Sequence, residues 1–372
     1  MITFCERYHP GNEETEILNC LRGQISSDGE YTRRLHKCFA KNGVAQLLFT
    51  PSGSHALELA CHLLQLKVGD EVILPSYNFP SAANAVLLAG GVPVLCDISP
   101  ETQNITAESV AKCITPRTRA VIAVHYAGVA CPIDELSALC KNAGVSLIED
   151  AAQGVCAAYN GKPLGTLGRF GAYSFHSTKN YSCGEGGALY CGESDIKSAE
   201  IFRDKGTNRT EYMRGECDRY TWLGKGSSYV MSELSAALLY TQLDSAEIIT
   251  NRRLMLCRAY SRLLRPLEQS GVLRLMYVPK YATPNGHIFY VRFASGALRE
   301  QVQNKLLAKE IEVKTHYVPL HLSPMGASLG YNANDLPQST AAYEQLLRLP
   351  IHTGLSLSDI EQVASEIFRA VQ

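Results

Sequence analysis

The chain has 372 residues, 46% of them hydrophobic, with 35 Lys and Arg against 36 Asp and Glu and a formal net charge of −1. That length suits a large α/β domain with a smaller one beside it. The balanced charge leaves no basic field to gather nucleic acid, and no apolar run reaches the roughly 20 residues a membrane helix needs. Thirteen cysteines, Cys5 to Cys257, contain no CxxC pair. Neither a zinc ribbon nor a dithiol motif is therefore indicated, no metal is expected, and the usage reads as a reducing cytosol. The opening MITFCERYHPGNEE has no basic segment followed by an apolar one, so no secretory leader is expected.

Short apolar runs alternate with helical patterns from residue 43 to 200. VAQLLFT (44–50) reads as a strand, SHALELACHLLQL (54–66) as a helix, and DEVILPS (70–76) as a strand. NFPSAANAVLLAG (78–90) reads as a helix, VPVLCDI (92–98) as a strand, ESVAKCI as a helix, and RAVIAVHYAG (119–128) as a strand. PIDELSALCKNAG (132–144) carries Pro132 near its start and Gly144 past its end, the usual helix punctuation. VSLIEDA (145–151) is the next strand, and FGAYSFHSTK and GGALYCG form two more around a glycine turn. This alternation predicts a mostly parallel sheet covered by helices. Residues 232–264 read as one or two long helices, a bridge to a smaller α/β unit with strands in HIFYVRFA and EVKTHYVPL and helices in REQVQNKLLAKE and SDIEQVASEIFRAV. The expected division is a large domain over 1–245 and a small one over 246–372.

The stretch SFHSTKNYSCGEGG (174–187) sets one lysine, Lys179, among small polar residues before a glycine-rich turn. An amine reacts with carbonyls only when its pKa is lowered or when it is already condensed with a cofactor such as pyridoxal 5′-phosphate (PLP). Such a cofactor asks for a carboxylate at its pyridine nitrogen, an anion site for its phosphate, and a flat partner for its ring. Asp150, at the carboxyl end of a predicted strand, is the carboxylate candidate; it is equally placed to cap the next helix. Gln153 follows three residues on. Gly53 and Ser54, where a strand turns into a helix, are the phosphate candidates, with a plain helix cap as the alternative. Ser174 adds a hydroxyl. Phe79, with Tyr77 next, is the stacking candidate, although burial in the core is a common fate for a Phe.

SGSHAL, PSYNFPSAANAV, IEDAAQG, SFHSTKN, GEGG and GSSYVMSEL together resemble the sugar aminotransferases of the DegT/DnrJ/EryC family, over about residues 3–365. HYAGVAC (125–131), KGTNR (205–209), YTW with GSSY (220–229) and THYVPLH (315–321) are similar to the members acting on dTDP-4-dehydro-6-deoxyglucose, especially those giving dTDP-4-amino-4,6-dideoxygalactose.

The resemblance implies PLP-dependent fold type I, the aspartate aminotransferase architecture. It implies that Lys179 is the Schiff-base lysine and the proton-transferring base. Asp150 would pair with the pyridine nitrogen and Gln153 with the phenolic oxygen. Gly53, Ser54 and Ser174 would hold the phosphate, and Phe79 would stack on the ring. Members are homodimers with shared active sites. The phosphate donor from the neighbour is usually an Asn in G-x-N-Y; GSSY puts Ser228 there instead. His125, Tyr126, Arg209, Tyr317 and His321 fall in segments that line the sugar-nucleotide pocket. The substrates implied are L-glutamate and a dTDP-linked 4-keto-6-deoxy sugar. Alternatives are the enzyme forming dTDP-4-amino-4,6-dideoxyglucose, a PLP-dependent dehydratase, and a silent sugar-nucleotide binder. Dehydratases of the family carry His in place of the lysine, and Lys179 is retained here.

Overall fold

The computed structural model describes residues 1–372. Its strands in chain order are β1 (Leu47–Thr50), β2 (Glu71–Pro75), β3 (Val92–Cys96), β4 (Thr118–Val124), β5 (Ser146–Asp150), β6 (Ala158–Tyr159), β7 (Lys162–Pro163), β8 (Phe170–Ser174), β9 (Gly187–Cys191), β10 (Leu273–Leu275), β11 (Ala282–Thr283), β12 (Phe289–Phe293) and β13 (Leu346–Leu349). Seven build the main sheet, in the order β1-β9-β8-β5-β4-β2-β3. The pairs β3-β2, β2-β4, β4-β5 and β5-β8 are parallel, whereas β9 runs antiparallel to both β8 and β1. Only β9 is therefore reversed. β2, β4 and β8 are buried along their whole length or nearly so, as a sheet covered on both faces requires.

This topology gathers six strand ends on one edge. The registers Val124↔Asp150 and Asp150↔Ala172 align the ends of β4, β5 and β8. Ser174↔Gly187 and Thr50↔Gly187 carry the row on to β1. In a parallel α/β sheet, this edge is where ligands bind.

A second sheet, β10-β12-β13, is antiparallel. It packs with the helices Gly296–Leu307 and Leu357–Val371 into a core that also holds Leu256, Tyr260 and Leu264 of the long helix Ala246–Gln269. That helix begins in the main core at Ile249 and so ties the two units together. Ile2 belongs to the smaller core: its amide donates to the Glu310 carbonyl, and the Glu312 amide donates to the Ile2 carbonyl.

Three expected strands end early. RAVIAVHYAG leaves the sheet after Val124 and turns at Ala127 and Gly128, both at positive φ. FGAYSFHSTK leaves it after Ser174, because β9 pairs no further than Gly187. EVKTHYVPL is no strand beyond a lone bridge between Lys314 and Arg348. It runs instead toward the main sheet, where the Leu320 amide donates to the Ser76 carbonyl.

Candidate active site

Lys179 lies in a turn after β8, its amide donating to the His176 carbonyl. The ammonium is partly buried and makes no ion pair within the chain. Burial pulls its pKa down to about 8; the Asp150 charge opposes this and Arg348 reinforces it. Asp150, at the end of β5, feels the converse: burial raises it, while the Ala152 amide, Lys179 and His125 hold it down. One Asp150 oxygen accepts from the Ala152 amide at 3.0 Å, and the other has no hydrogen bond in the chain. Asp150 is thus a buried carboxylate with one oxygen engaged, beside an amine shifted toward neutrality.

Gln153 is fixed at both ends of its amide. Its Oε1 accepts from the Ala127 amide at 2.7 Å, and its Nε2 donates to the Tyr317 hydroxyl at 3.1 Å. Ser174, Lys179, Gln153, Asn180, Asn285 and His287 border one small space. Asn180 Oδ1 lies 3.0 Å from His287 Nδ1, and its Nδ2 donates to the Asn285 carbonyl. Asn285 Nδ2 in turn donates to the carbonyls of Gln153 and Val155. Gly128 makes this possible, since a Cβ there would stand 2.1 Å from Asn285 Oδ1. No motif flagged Asn285 or His287, and Asn180 stood only as the last letter of SFHSTKN, with no role assigned. Their only signal was position, beside the lysine or in the loop before β12.

Across the same edge the helix Gly53–Leu63 begins. Ser52 is its cap, accepting from the His55 amide at 3.3 Å. The first amides of a helix, here Gly53 and Ser54, have no carbonyl of their own to meet and point at whatever lies ahead. Position 53 must be glycine-sized, because a Cβ would come within 2.8 Å of the Ser174 Cβ. Ser54 Oγ lies 2.7 Å from Ser81 Oγ. A helix start, a serine hydroxyl, a buried carboxylate and an amine near neutrality on one edge fit the phosphate, ring nitrogen and carbonyl of PLP. Two unpartnered buried donors, the Tyr77 hydroxyl and Asn78 Nδ2, follow β2 on that edge.

Phe79 is exposed at the mouth, its ring 6.2 Å from that of Tyr317. Tyr317 also packs 5.9 Å from Tyr77 and stacks on His316 at 3.6 Å. The Tyr126 hydroxyl lies 2.7 Å from His316 Nδ1. Burial, with Arg348 and Lys179 nearby, keeps His316 well below the usual imidazole range, and burial holds Tyr126 well above the usual phenol range. The Tyr126 O–H therefore donates and His316 Nδ1 accepts.

Three substrate-contact expectations, those for His125, His321 and Tyr126, need correction, and Arg209 stands away from Lys179 in its own chain. His125 is wholly buried; its Nδ1 accepts from the Cys131 amide at 3.1 Å, which leaves Nε2 protonated to donate to Glu149 at 2.9 Å. It has no polar atom left for a sugar. His321 is equally committed, with Nδ1 2.7 Å from Ser76 Oγ and Nε2 3.1 Å from Thr340 Oγ1. It clips the loop after Tyr317 to the end of β2. Tyr126 is 1% exposed and reaches the cavity only through His316. Arg209 pairs with Asp204 at 3.1 Å and lines a separate cavity of about 560 Å³ with Asp28, Arg33 and Arg214. Ser228 is exposed on the loop whose neighbour Tyr229 packs 4.5 Å from His55, and borders no space around Lys179 in its own chain.

All 13 cysteines are free thiols, and no His, Cys, Asp and Glu cluster suits a metal. No helix is long and apolar enough to cross a membrane.

The family model of the DegT/DnrJ/EryC1/StrS aminotransferases matches residues 9–368. The chain is 33% identical to the dTDP-4-dehydro-2,3,6-trideoxy-D-glucose 4-aminotransferase of Saccharopolyspora spinosa, covering 96% of this chain and 94% of that protein. It is 32% identical to the GDP-perosamine synthase of Caulobacter vibrioides, covering 96% and 95%. Among solved structures, the aminotransferase TlmJ of Streptoalloteichus hindustanus superposes with a TM-score of 0.90 at 29% identity, covering 100% of this chain and 99% of that one. The chain belongs to the DegT/DnrJ/EryC1/StrS aminotransferase family and is a PLP-dependent sugar aminotransferase of fold type I.

Proposed function

We propose that the protein moves the amino group of L-glutamate to C4 of dTDP-4-dehydro-6-deoxyglucose, giving dTDP-4-amino-4,6-dideoxygalactose for a surface polysaccharide such as O-antigen. The observation that carries the chemistry is the pair at one sheet edge: Lys179 lowered to about 8 and Asp150 raised by burial. The segments HYAGVAC, KGTNR, GSSY and THYVPLH support the choice of sugar.

PLP, when bound, supplies an electron sink that acidifies the C–H bond beside the transferred nitrogen. Lys179 Nζ would hold the cofactor and, once free, would serve as the base that moves a proton to and from the substrate carbon. Asp150 keeps the ring nitrogen protonated. Gln153, held by Ala127, offers its Nε2 hydrogen to the phenolic oxygen. Gly53, Ser54 and Ser174 would hold the phosphate, and Phe79 would offer the ring a flat partner. Tyr317, with Tyr126 behind His316, faces the sugar. Transfer runs in two halves: the amino acid leaves as its 2-oxo acid, and the keto sugar then takes the nitrogen.

Arg209 and Ser228, absent from this edge in their own chain, act in this reading from a second copy, in a homodimer with shared active sites working in the cytoplasm. The test is incubation with PLP, L-glutamate and dTDP-4-dehydro-6-deoxyglucose, with the product read by NMR. A small H3–H4 coupling marks the axial amine of the galacto product. A large coupling means the gluco product instead. Loss of the C3 hydroxyl without glutamate consumption would make the protein a dehydratase.

A further inference from the structure

His287 is held at three points. Its amide donates to Asn285 Oδ1 at 3.0 Å. Its carbonyl accepts from Arg253 Nη2 at 2.9 Å, while Arg253 Nε donates to the neighbouring Gly286 carbonyl at 2.9 Å. Its ring Nδ1 lies 3.0 Å from Asn180 Oδ1. Asn180 Nδ2 is committed to the Asn285 carbonyl, so an amide oxygen faces the ring and Nδ1 carries the hydrogen. That tautomer leaves Nε2 as a bare lone pair, and Nε2 makes no hydrogen bond in the chain.

The ring cannot take a second proton. It is 8% exposed. Burial keeps its pKa well below the usual imidazole range, and Lys179, Arg253 of the long helix, Arg348 of β13 and His316 add to the effect. The acid that faces Lys179 is Asp150 of β5. What His287 offers the site is therefore an acceptor, not a charge.

A lone pair fixed this firmly selects a donor, and the space that His287 shares with Lys179 offers few. Gln153 Nε2 donates to Tyr317 and Asn285 Nδ2 to two carbonyls. Thr250 gives its hydrogen to the Ala246 carbonyl, so the Tyr181 hydroxyl donates to Thr250. Two donors remain: the Ser174 hydroxyl, which the phosphate would engage, and the Lys179 ammonium. No hydrogen bond joins Nζ to Nε2 as the chain stands, but a flexible four-carbon stem with three N–H groups closes such a gap by turning about its own bonds.

We infer that His287 is a positioning residue for Lys179, its Nε2 accepting a hydrogen from the lysine ammonium whenever that side chain is free of cofactor. The inference rests on the reading of Lys179 as the lysine that condenses with PLP. A lysine that releases the cofactor in each half of the transfer, and later takes it back, has to wait nearby in one orientation. A carboxylate would hold it as a tight ion pair and keep it charged. A neutral acceptor orients the ammonium and still lets it lose a proton near neutrality.

The test reads Lys179 itself. PLP-free protein is treated with acetic anhydride from about pH 6 to about pH 11, and acetylation of the Lys179 peptide is followed by mass spectrometry; the midpoint reports the pKa of that one amine. An acceptor for the ammonium raises this pKa, so losing the acceptor lowers it. His287→Asn keeps a donor where Nδ1 stands, and with it the anchor to Asn180, but removes Nε2; the midpoint should fall by about one pH unit. His287→Gln places an amide oxygen near Nε2 and loses the anchor; the midpoint should stay within about 0.3 of wild type. A purely structural role predicts the reverse order. With PLP and L-glutamate, kcat should fall about tenfold in His287→Asn with KM changed by less than about twofold, and His287→Gln should recover most of the rate.

An unchanged midpoint in His287→Asn overturns the inference, as does a larger fall in His287→Gln than in His287→Asn. If His287→Gln does not fold, His287→Ala replaces it: equal falls in Ala and Asn sustain the contact, and a fall in Ala alone assigns the effect to the Asn180 anchor. The parent reading fails separately, if Lys179→Ala takes up PLP covalently as wild type does. The acetylation midpoints then decide alone, a fall in His287→Asn sustaining the contact and no fall removing it.

Discussion

The Gln153 Nε2 donates to the Tyr317 hydroxyl across 3.1 Å, joining the end of β5 to a loop that is 164 residues later in the chain. One amide thus senses both the large sheet and the segment that leads back from the small unit. Tyr317→Phe removes the acceptor and frees Gln153 Nε2. We expect folding stability to fall by about 1 kcal/mol and kcat to fall more than stability would suggest. Thermal melts and steady-state kinetics on one preparation check this. Unchanged kcat would place Tyr317 outside the reaction.

Lys179 sets a pH dependence. A lysine lowered to about 8 is roughly 10% neutral at pH 7, against about 0.03% for one near 10.5. Only the neutral amine condenses with a carbonyl. Covalent uptake of PLP by the free protein should therefore rise from about pH 7 and level off above about pH 9. In Lys179→Ala the specific uptake and all turnover should vanish while the fold survives. Uptake that keeps climbing toward pH 11 in wild type would assign it to surface lysines.

Asp150→Asn should separate stability from activity. The Asp150 pKa is raised on folding by burial, so ionised Asp150 costs the folded state free energy at neutral pH, and that cost disappears as pH falls through the folded pKa. The Asn variant should melt no lower than wild type without cofactor, yet lose on the order of a hundredfold or more in kcat. Near-normal turnover would show that another group protonates the ring nitrogen.

Glu149 is the contrasting neighbour. It is wholly buried and accepts from His125 Nε2 and from the amides of Gly165, Leu167 and Gly168. Burial alone would raise its pKa, but His125 and these amides outweigh it and leave the pKa lowered. Glu149→Ala orphans four donors at once and should destabilise by about 3–5 kcal/mol, seen as a large drop in denaturation midpoint. Because the pKa is lowered on folding, this contribution is present at neutral pH and lost on acidification through the folded value. A variant as stable as wild type would mean that water satisfies the freed donors.

Gly53→Ala adds one methyl group 2.8 Å from the Ser174 Cβ. Helix start and strand end must part, with an overpacking cost of about 1–3 kcal/mol. PLP affinity should fall further than stability, since both phosphate-facing groups shift. Equilibrium dialysis with PLP tests it; wild-type affinity would mean that the phosphate binds elsewhere.

The β-α alternation and the residues on the sheet edge were legible because strand ends and caps are local in sequence. Asp150, Gln153, Ser174 and Lys179 lie within 30 residues of one another and reach one edge by the topology of a parallel sheet. His125 and His321 misled for the converse reason. A histidine in a suggestive segment has the same letter whether its nitrogens face a cavity or, as here, Cys131, Glu149, Ser76 and Thr340. Asn285, His316 and Arg348 gained meaning only from tertiary proximity. The GSSY and KGTNR segments stay apart from Lys179 in one chain, a distance no reading of linear order provides.

The bond between Ile2 and residues 310–312 has a consequence for synthesis. A ribosome adding about 5–20 residues per second takes some 15–60 seconds to travel from Ile2 to Glu312. Through that interval the edge around Ile2 and Phe4 has no mate, and Phe4 waits longer still for Arg348. The large sheet has all its strands once Cys191 has emerged. The nascent protein is therefore expected to carry a finished sheet beside an open N-terminal strip, a brief window in which chaperone capture or truncation would be most consequential.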